Sequence, residues 1–444
     1  MTYKNRTRLA YVCIVLSLLA TSLVFLRPWR MLPGMDRESI APFTCAVNVW
    51  AESGQSFSPF VRPRIVSSLA RVGEVEKALE FAEEMPIGIS RAHAYFDILF
   101  FVGSEIEPEL RREVLLSLFF AAFFSGPFVP AHDSDEVLQG SMAITMLSFA
   151  GRSLAQEGLP HLALTSLRLA EDRIQLLPSR RHRFLLPQVA FGHIVLGDVD
   201  KGERLLSSAE RLIGADPDGP SLCFVWRSIA SVAAQAGLTE YVDRYLEKDE
   251  DYHRSREERI EGFGASLWAT DYIELGDVDR ALAMARRNDN TSSRVQDLCN
   301  IAGLLLDDGD ERGARGLVPE IQSLVTRNQE LLNWRAEAAA RCVDLLARLE
   351  ENATARRILA LAEEWLADPE LKRSRREDAL AEVAAAYCRI GECRKAFELL
   401  QGVEDDEDVV IALLDIFVHT QKRGRKFAEE ELDALGKLCP DVSW

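Results

Sequence analysis

Seven glycines set the period of this chain: Gly73, Gly158, Gly197, Gly237, Gly276, Gly309 and Gly391. Between Gly158 and Gly276 they stand 39, 40 and 39 residues apart, and after a shorter step to Gly309 the count resumes at 41 and 41 through Glu350 to Gly391. All but Gly237 are followed five residues later by Ala or Gly. A period of this length predicts one helical hairpin repeated, each unit burying its apolar face only against its neighbours. A left-handed residue that closes one helix before the next begins costs least as Gly, which has no Cβ to clash. Gly73-Glu74, Gly197-Asp198, Gly276-Asp277, Gly309-Asp310 and Gly391-Glu392 then add an acid, predicted to cap the second helix where its N–H groups are unpaired. Glu350 stands where a Gly is expected.

Seven residues before the marker the side chain is mostly small: Gly151, Ala190, Ala230, Ala269, Ala302 and Ala384. Helices approach closely at such a position. One residue earlier sits a larger apolar knob, as in Ile65, Val189, Ile229, Trp268, Ile301 and Val383. Four before the marker come Leu69, Leu154, Leu305 and Leu346 or the aromatics Tyr272 and Tyr387, on the same helical face. Ala78, Ala163, Gly202, Ala281, Ala314, Ala355 and Ala396 give the second helix its own small stripe.

A first helix with a small residue and an aromatic, a Gly-acid turn and a second helix with alanines resembles the tetratricopeptide repeat family. Trp226, eleven residues before Gly237, stands where that family often carries its Trp. The resemblance covers residues 141–402, with 60–86 as an isolated unit, and implies a right-handed all-α solenoid. The longer period, about 39–41 against 34 for the family, implies lengthened second helices or connectors. HEAT-type pairs have the longer period but do not explain the Gly-acid turn.

Leu9 to Leu26 is an 18-residue apolar run preceded by Lys4, Arg6 and Arg8 and followed by Arg27 and Arg30. It predicts an N-terminal transmembrane helix over residues 1–30, with a cleaved signal peptide as the alternative. The flanking charges lean toward a cytoplasmic N-terminus with an exported body, a single-pass membrane protein. Residues 31–63, with four prolines, read as a linker, 64–125 as N-terminal helical hairpins and 126–140 as a connector. Residues 141–440 form the repeat array, its last helix acting as a cap. From Tyr95 to Phe128 the chain is unusually aromatic, read as a buried helix or a surface for a membrane or a membrane partner. The eight cysteines show no CxxC and no zinc spacing and are expected as packing thiols, though Cys388 and Cys393 straddle a turn where they can pair.

A net charge of −18 excludes a phosphate-binding footprint, so no nucleic-acid partner is expected. Motifs for zinc hydrolysis, serine hydrolysis, nucleotide loops and dinucleotide binding are absent, and neither a catalytic residue, a metal nor a cofactor is expected. In the family it resembles, partner peptides lie along the face lined by first helices. Projected here, the positions thirteen, ten and six before each marker bring Phe184, Phe224 and Phe263 into register, with Arg152, Phe191, Arg227 and Thr270 beside them. Such a groove suits an apolar peptide with an acidic end. The resulting expectation is a membrane-tethered, non-catalytic scaffold for a protein or peptide partner. An exported α/α enzyme or glycan-binding module is the alternative.

Overall fold

The structure, a computed structural model, describes residues 37–52, 61–103, 105–125, 134–214, 222–256, 269, 272, 277–288, 290–327, 332–369, 371–440 and 442. Among them every regular element is a helix. An N-terminal helix, α1 (Arg37–Glu52), precedes the array. First helices are α2 (Val61–Arg71), α4 (Ile89–Val102), α6 (Ser134–Gln156), α8 (Ser179–Val195), α10 (Leu222–Gln235), α13 (Thr291–Asp307), α15 (Leu332–Arg348), α17 (Arg373–Arg389) and α19 (Asp406–Lys422). Second helices are α3 (Val75–Glu84), α5 (Pro108–Phe123), α7 (Pro160–Ile174), α9 (Val199–Gly214), α11 (Thr239–Arg256), α12 (Val278–Arg287), α14 (Glu311–Arg327), α16 (Asn352–Leu366), α18 (Cys393–Leu400) and α20 (Glu429–Leu438).

The marker turns do what their residues require. Gly73, Gly158, Gly197, Gly237, Gly309, Gly391 and Gly424 have φ between 59° and 93°. Glu350 adopts the same left-handed conformation, at φ 63°. The N–H after each marker returns to the carbonyl five residues back, Asp198 to His193 at 2.8 Å and Glu351 to Leu346 at 2.8 Å, which satisfies the ending helix. Gly424 repeats the left-handed turn once more beyond the sequence reading. The acids divide by length. Asp277 accepts from the Arg280 N–H at 3.1 Å and Asp310 from Gly313 at 2.9 Å, whereas Glu74, Glu351 and Glu392 form no side-chain cap. The extra methylene carries the glutamate head past the open N–H groups, and Glu351 and Glu392 pair instead with Arg315 at 3.4 Å and Arg356 at 2.5 Å.

Close approach accounts for the small stripes. A Cβ on Gly151 would lie 2.8 Å from Leu167 Cγ, and one on Gly202 would lie 2.4 Å from Ile194 Cγ1. Four residues before the marker, the polar exceptions form a recurring clasp. His193 of α8 meets Glu171 of α7 at 2.8 Å, and Lys201 of α9 meets the same carboxylate at 2.6 Å. Five markers further on, Tyr387 of α17 donates to Glu363 of α16, and Lys395 of α18 reaches that oxygen at 2.5 Å. Each clasp ties a hairpin to the second helix before it.

The first helices pack in sequence, α2 on α4, α4 on α6, α6 on α8 and α8 on α10, then α13 on α15, α15 on α17 and α17 on α19. The series then returns: α19 packs on α2. The chief partner of α19 is α1, which occupies the place that a second helix holds elsewhere, while α20 stacks on α18 and touches α1. Phe43 of α1 meets Phe417 of α19 with ring centroids 4.9 Å apart, and Gln421 donates to the Ser39 carbonyl at 2.6 Å. A disulfide joins Cys45 of α1 to Cys439, 394 residues away in sequence.

Five expectations change, the packing thiols among them, since Cys45 pairs with Cys439 and Cys388 with Cys393. Among the described residues no helix is long and apolar enough to cross a membrane. The run 9–26 lies outside them, so the spanning helix, the single-pass placement and its orientation are withdrawn from the reading. Within the segment 31–63, residues 37–52 are helical and bury Ile40, Phe43, Val47 and Trp50, because they complete the last hairpin instead of linking. The connector 126–140 already contains the start of α6 at Ser134. A terminal cap is replaced by closure: α20 lies against α18 and α1, and α1 covers α19.

Candidate functional site

Of the groove residues expected on the central repeats, the described residues include the side chains of three, Arg152, Phe184 and Phe191. Phe191 is fully buried, edge-on to Tyr241 of α11 at 5.6 Å, so it is core. Arg152 is 7% exposed and spends its guanidinium on the Val232 carbonyl of α10 at 3.0 Å, with burial lowering its pKa to about 10. The position six before the marker therefore faces neighbouring helices in these repeats. Phe184 is half-buried under the guanidinium of Arg183, 5.2 Å from its ring centre. Phe224 and Arg227 lie on α10, with side chains outside the described residues, and Phe263 and Thr270 fall outside them altogether.

The open face of the first helices is carried by a different register, nine and two residues before the marker. It holds Arg64 and Arg71 on α2, Arg341 and Arg348 on α15, Glu382 and Arg389 on α17, and Asp415 on α19. These side chains pair from helix to helix. Arg348 meets Asp307 of α13 at 2.6 Å, Arg341 meets Glu382 at 3.5 Å, and Arg389 meets Asp415 at 4.0 Å. Arg71 reaches the other oxygen of Asp415 at 3.9 Å, so the belt crosses the seam where the array closes. Arg71 also lies over the ring of Phe101 on α4, 5.6 Å from its centre.

Beyond the seam the belt becomes aromatic. Phe100 and Phe101 are 59% and 41% exposed, and Phe100 stacks on Phe96, which meets Phe149 of α6 edge-on at 4.9 Å. One turn below, His93 Nδ1 lies 3.5 Å from Asp97 Oδ2. Burial raises the Asp97 carboxyl to about 7, against the opposing pull of Arg64, and burial with Arg64 lowers His93. On α19, burial and the cations of Arg423 and Arg389 lower His419 to about 4, against Asp344 and a backbone bond to Arg389. The belt thus carries helix-to-helix ion pairs and imidazoles held below their ordinary pKa, with aromatic surface beside cations at the seam.

The one signal in the sequence that points to this register is the recurrence of Arg71, Arg348 and Arg389 two residues before their markers, which reads equally as cations at helix C-termini. Closure of the array is a property of α/α toroidal hydrolases as well as of scaffolds. Such hydrolysis needs carboxyl groups roughly 5–9.5 Å apart. Between α17 and α19, Asp378 and Asp408 are hydrogen bonded to each other, and burial together with that bond raises Asp408 to about 7. No group of three metal-ligating side chains gathers among the described residues.

No protein-family profile and no curated protein matches this chain. Among solved structures, the crystal structure of Ton1535 from Thermococcus onnurineus NA1 is similar over 79% of this chain and 97% of that one, at 14% identity and a TM-score of 0.31. A likeness at that score carries no inference about fold or function.

Proposed function

We propose that this protein is a non-catalytic helical-repeat scaffold that holds a polypeptide segment along the first-helix face at the closure seam. The observation that carries the reading is the pair of exposed phenylalanines, Phe100 and Phe101, set beside the Arg71–Asp415 pair. Large apolar side chains next to charged pairs are the composition of protein-binding anchors, with the aromatic ring supplying area and the guanidinium a partner for acidic groups. The tetratricopeptide-like turn pattern supports the same role, since stacked hairpins present their first helices as one continuous surface.

Peptide-display selection against the purified chain tests the reading. Selected peptides should carry an aromatic or aliphatic anchor next to an acidic residue. Their affinity should fall about tenfold or more in Phe101→Ala and in Arg71→Ala. Phe120→Ala, which removes an even more exposed ring from the second helix α5, should leave binding unchanged. Equal losses in all three variants, or none, would place the binding face elsewhere.

A further inference from the structure

A cavity of about 290 Å³ lies where α4, α5 and α6 meet. Its floor is apolar: Leu99 of α4, Leu115 of α5 and Phe149 of α6. Its other wall is polar, with Arg111 from α5, Ser153 and Gln156 from the end of α6 and Glu157 just beyond it. Glu157 is the acid of this wall, and it is shared between two guanidiniums, that of Arg111 and that of Arg112, whose Nε lies 3.3 Å from Oε2. Arg111 also donates to the Gly103 carbonyl at 3.4 Å, while its Nε is buried without a hydrogen-bond partner. One carboxylate against two guanidiniums leaves an excess positive charge, and a buried donor without a partner costs free energy until something accepts from it.

We infer that this cavity binds a small monocarboxylic acid with a short apolar tail. The carboxylate lies against Arg111, whose charge Glu157 answers only in part because Arg112, outside the lining, shares that acid, and the tail rests on Leu99, Leu115 and Phe149. The volume equals about ten water-sized portions of ~30 Å³, which suits a head group and about five carbons. A purely apolar ligand would leave the guanidinium excess unanswered, and a cation would be repelled by it. The cavity shares Phe149 with the aromatic end of the belt but not Phe101, Arg71 or Asp415, so different variants test the two readings.

Titration of the full chain with hexanoate, followed by calorimetry and by amide NMR shifts, tests the inference. Saturable binding with Kd on the order of 1 mM is expected for so few atoms. Hexan-1-ol, with the same tail and no charge, should bind at least about tenfold more weakly. Arg111→Gln should weaken hexanoate by a similar factor, whereas Glu157→Gln should tighten it about threefold or more by releasing both guanidiniums. Arg112→Gln, altering a half-exposed side chain, should repeat the loss without touching the packed wall, so misfolding of the Arg111 variant does not shelter the inference. Equal binding of the alcohol, no saturation, or Arg112 and Glu157 variants shifting affinity in the same direction overturns it.

Discussion

At the scale of single residues, Glu350 shows how strictly the repeat dictates backbone. It keeps the left-handed turn at φ 63° although it carries a Cβ, because both flanking helices, α15 and α16, are held by the neighbouring repeats. An L residue in that conformation carries a penalty of roughly 1–2 kcal/mol, part of which Gly returns as lost chain entropy. Glu350→Gly should therefore stabilise the fold by about 1 kcal/mol, read as a raised urea midpoint at unchanged slope. No gain would mean that the exposed carboxylate contributes as much as the strain removes. The turn itself was legible in the sequence, since the period pointed to residue 350 despite the missing Gly. The side chains around it were less so: the difference between capping Asp and non-capping Glu depends on one methylene, and pattern alone does not resolve it.

At the scale of elements, the hairpins follow from small residues meeting large ones. Ala384 of α17 is fully buried at the helix contact, one residue after the knob Val383. Ala384→Leu should cost about 1–3 kcal/mol by overpacking, whereas Asp279→Leu on the exposed face of α12 should change stability by less than about 0.5 kcal/mol. Equal midpoints in chemical denaturation would mean that the contact face is misassigned. Period, turn and small stripe were all readable because they are local, repeating within one hairpin. The binding register was not. A face is set by how far adjacent first helices rotate against each other, and a shift of three residues moves Phe191 into the core while bringing Asp415 and Arg341 out. The clasps of His193 with Glu171 and of Tyr387 with Glu363 were half visible, as polar residues in a slot otherwise filled by Leu; their carboxylate partners lie in the previous repeat, and only stacking brings them together.

At the scale of the whole molecule, the contact between α19 and α1 decides the architecture, and nothing local announces it. The pairing of Cys45 with Cys439 closes a loop of 394 residues. In chain-entropy terms so long a cross-link contributes on the order of 3–5 kcal/mol. Replacing both cysteines by Ser should lower unfolding free energy by about that amount, measured against the parent in denaturant without reductant. The double variant should keep its helical circular dichroism, since Phe43 and Gln421 still hold the seam. A loss well under 1 kcal/mol would mean that the two ends are not cross-linked in solution.

Closure also imposes an order on assembly. Helix α1 is made before every other described helix, yet its partner α19 begins at Asp406. At about 5–20 residues per second, a growing chain carries the apolar face of Ile40, Phe43, Val47 and Trp50 without its cover for roughly 20–70 s. The hairpins between them need only their neighbours and can stack as they emerge. Every nascent chain therefore passes through a stage at which the middle is built and α1 is still waiting, until α19, more than 350 residues later, gives it its place.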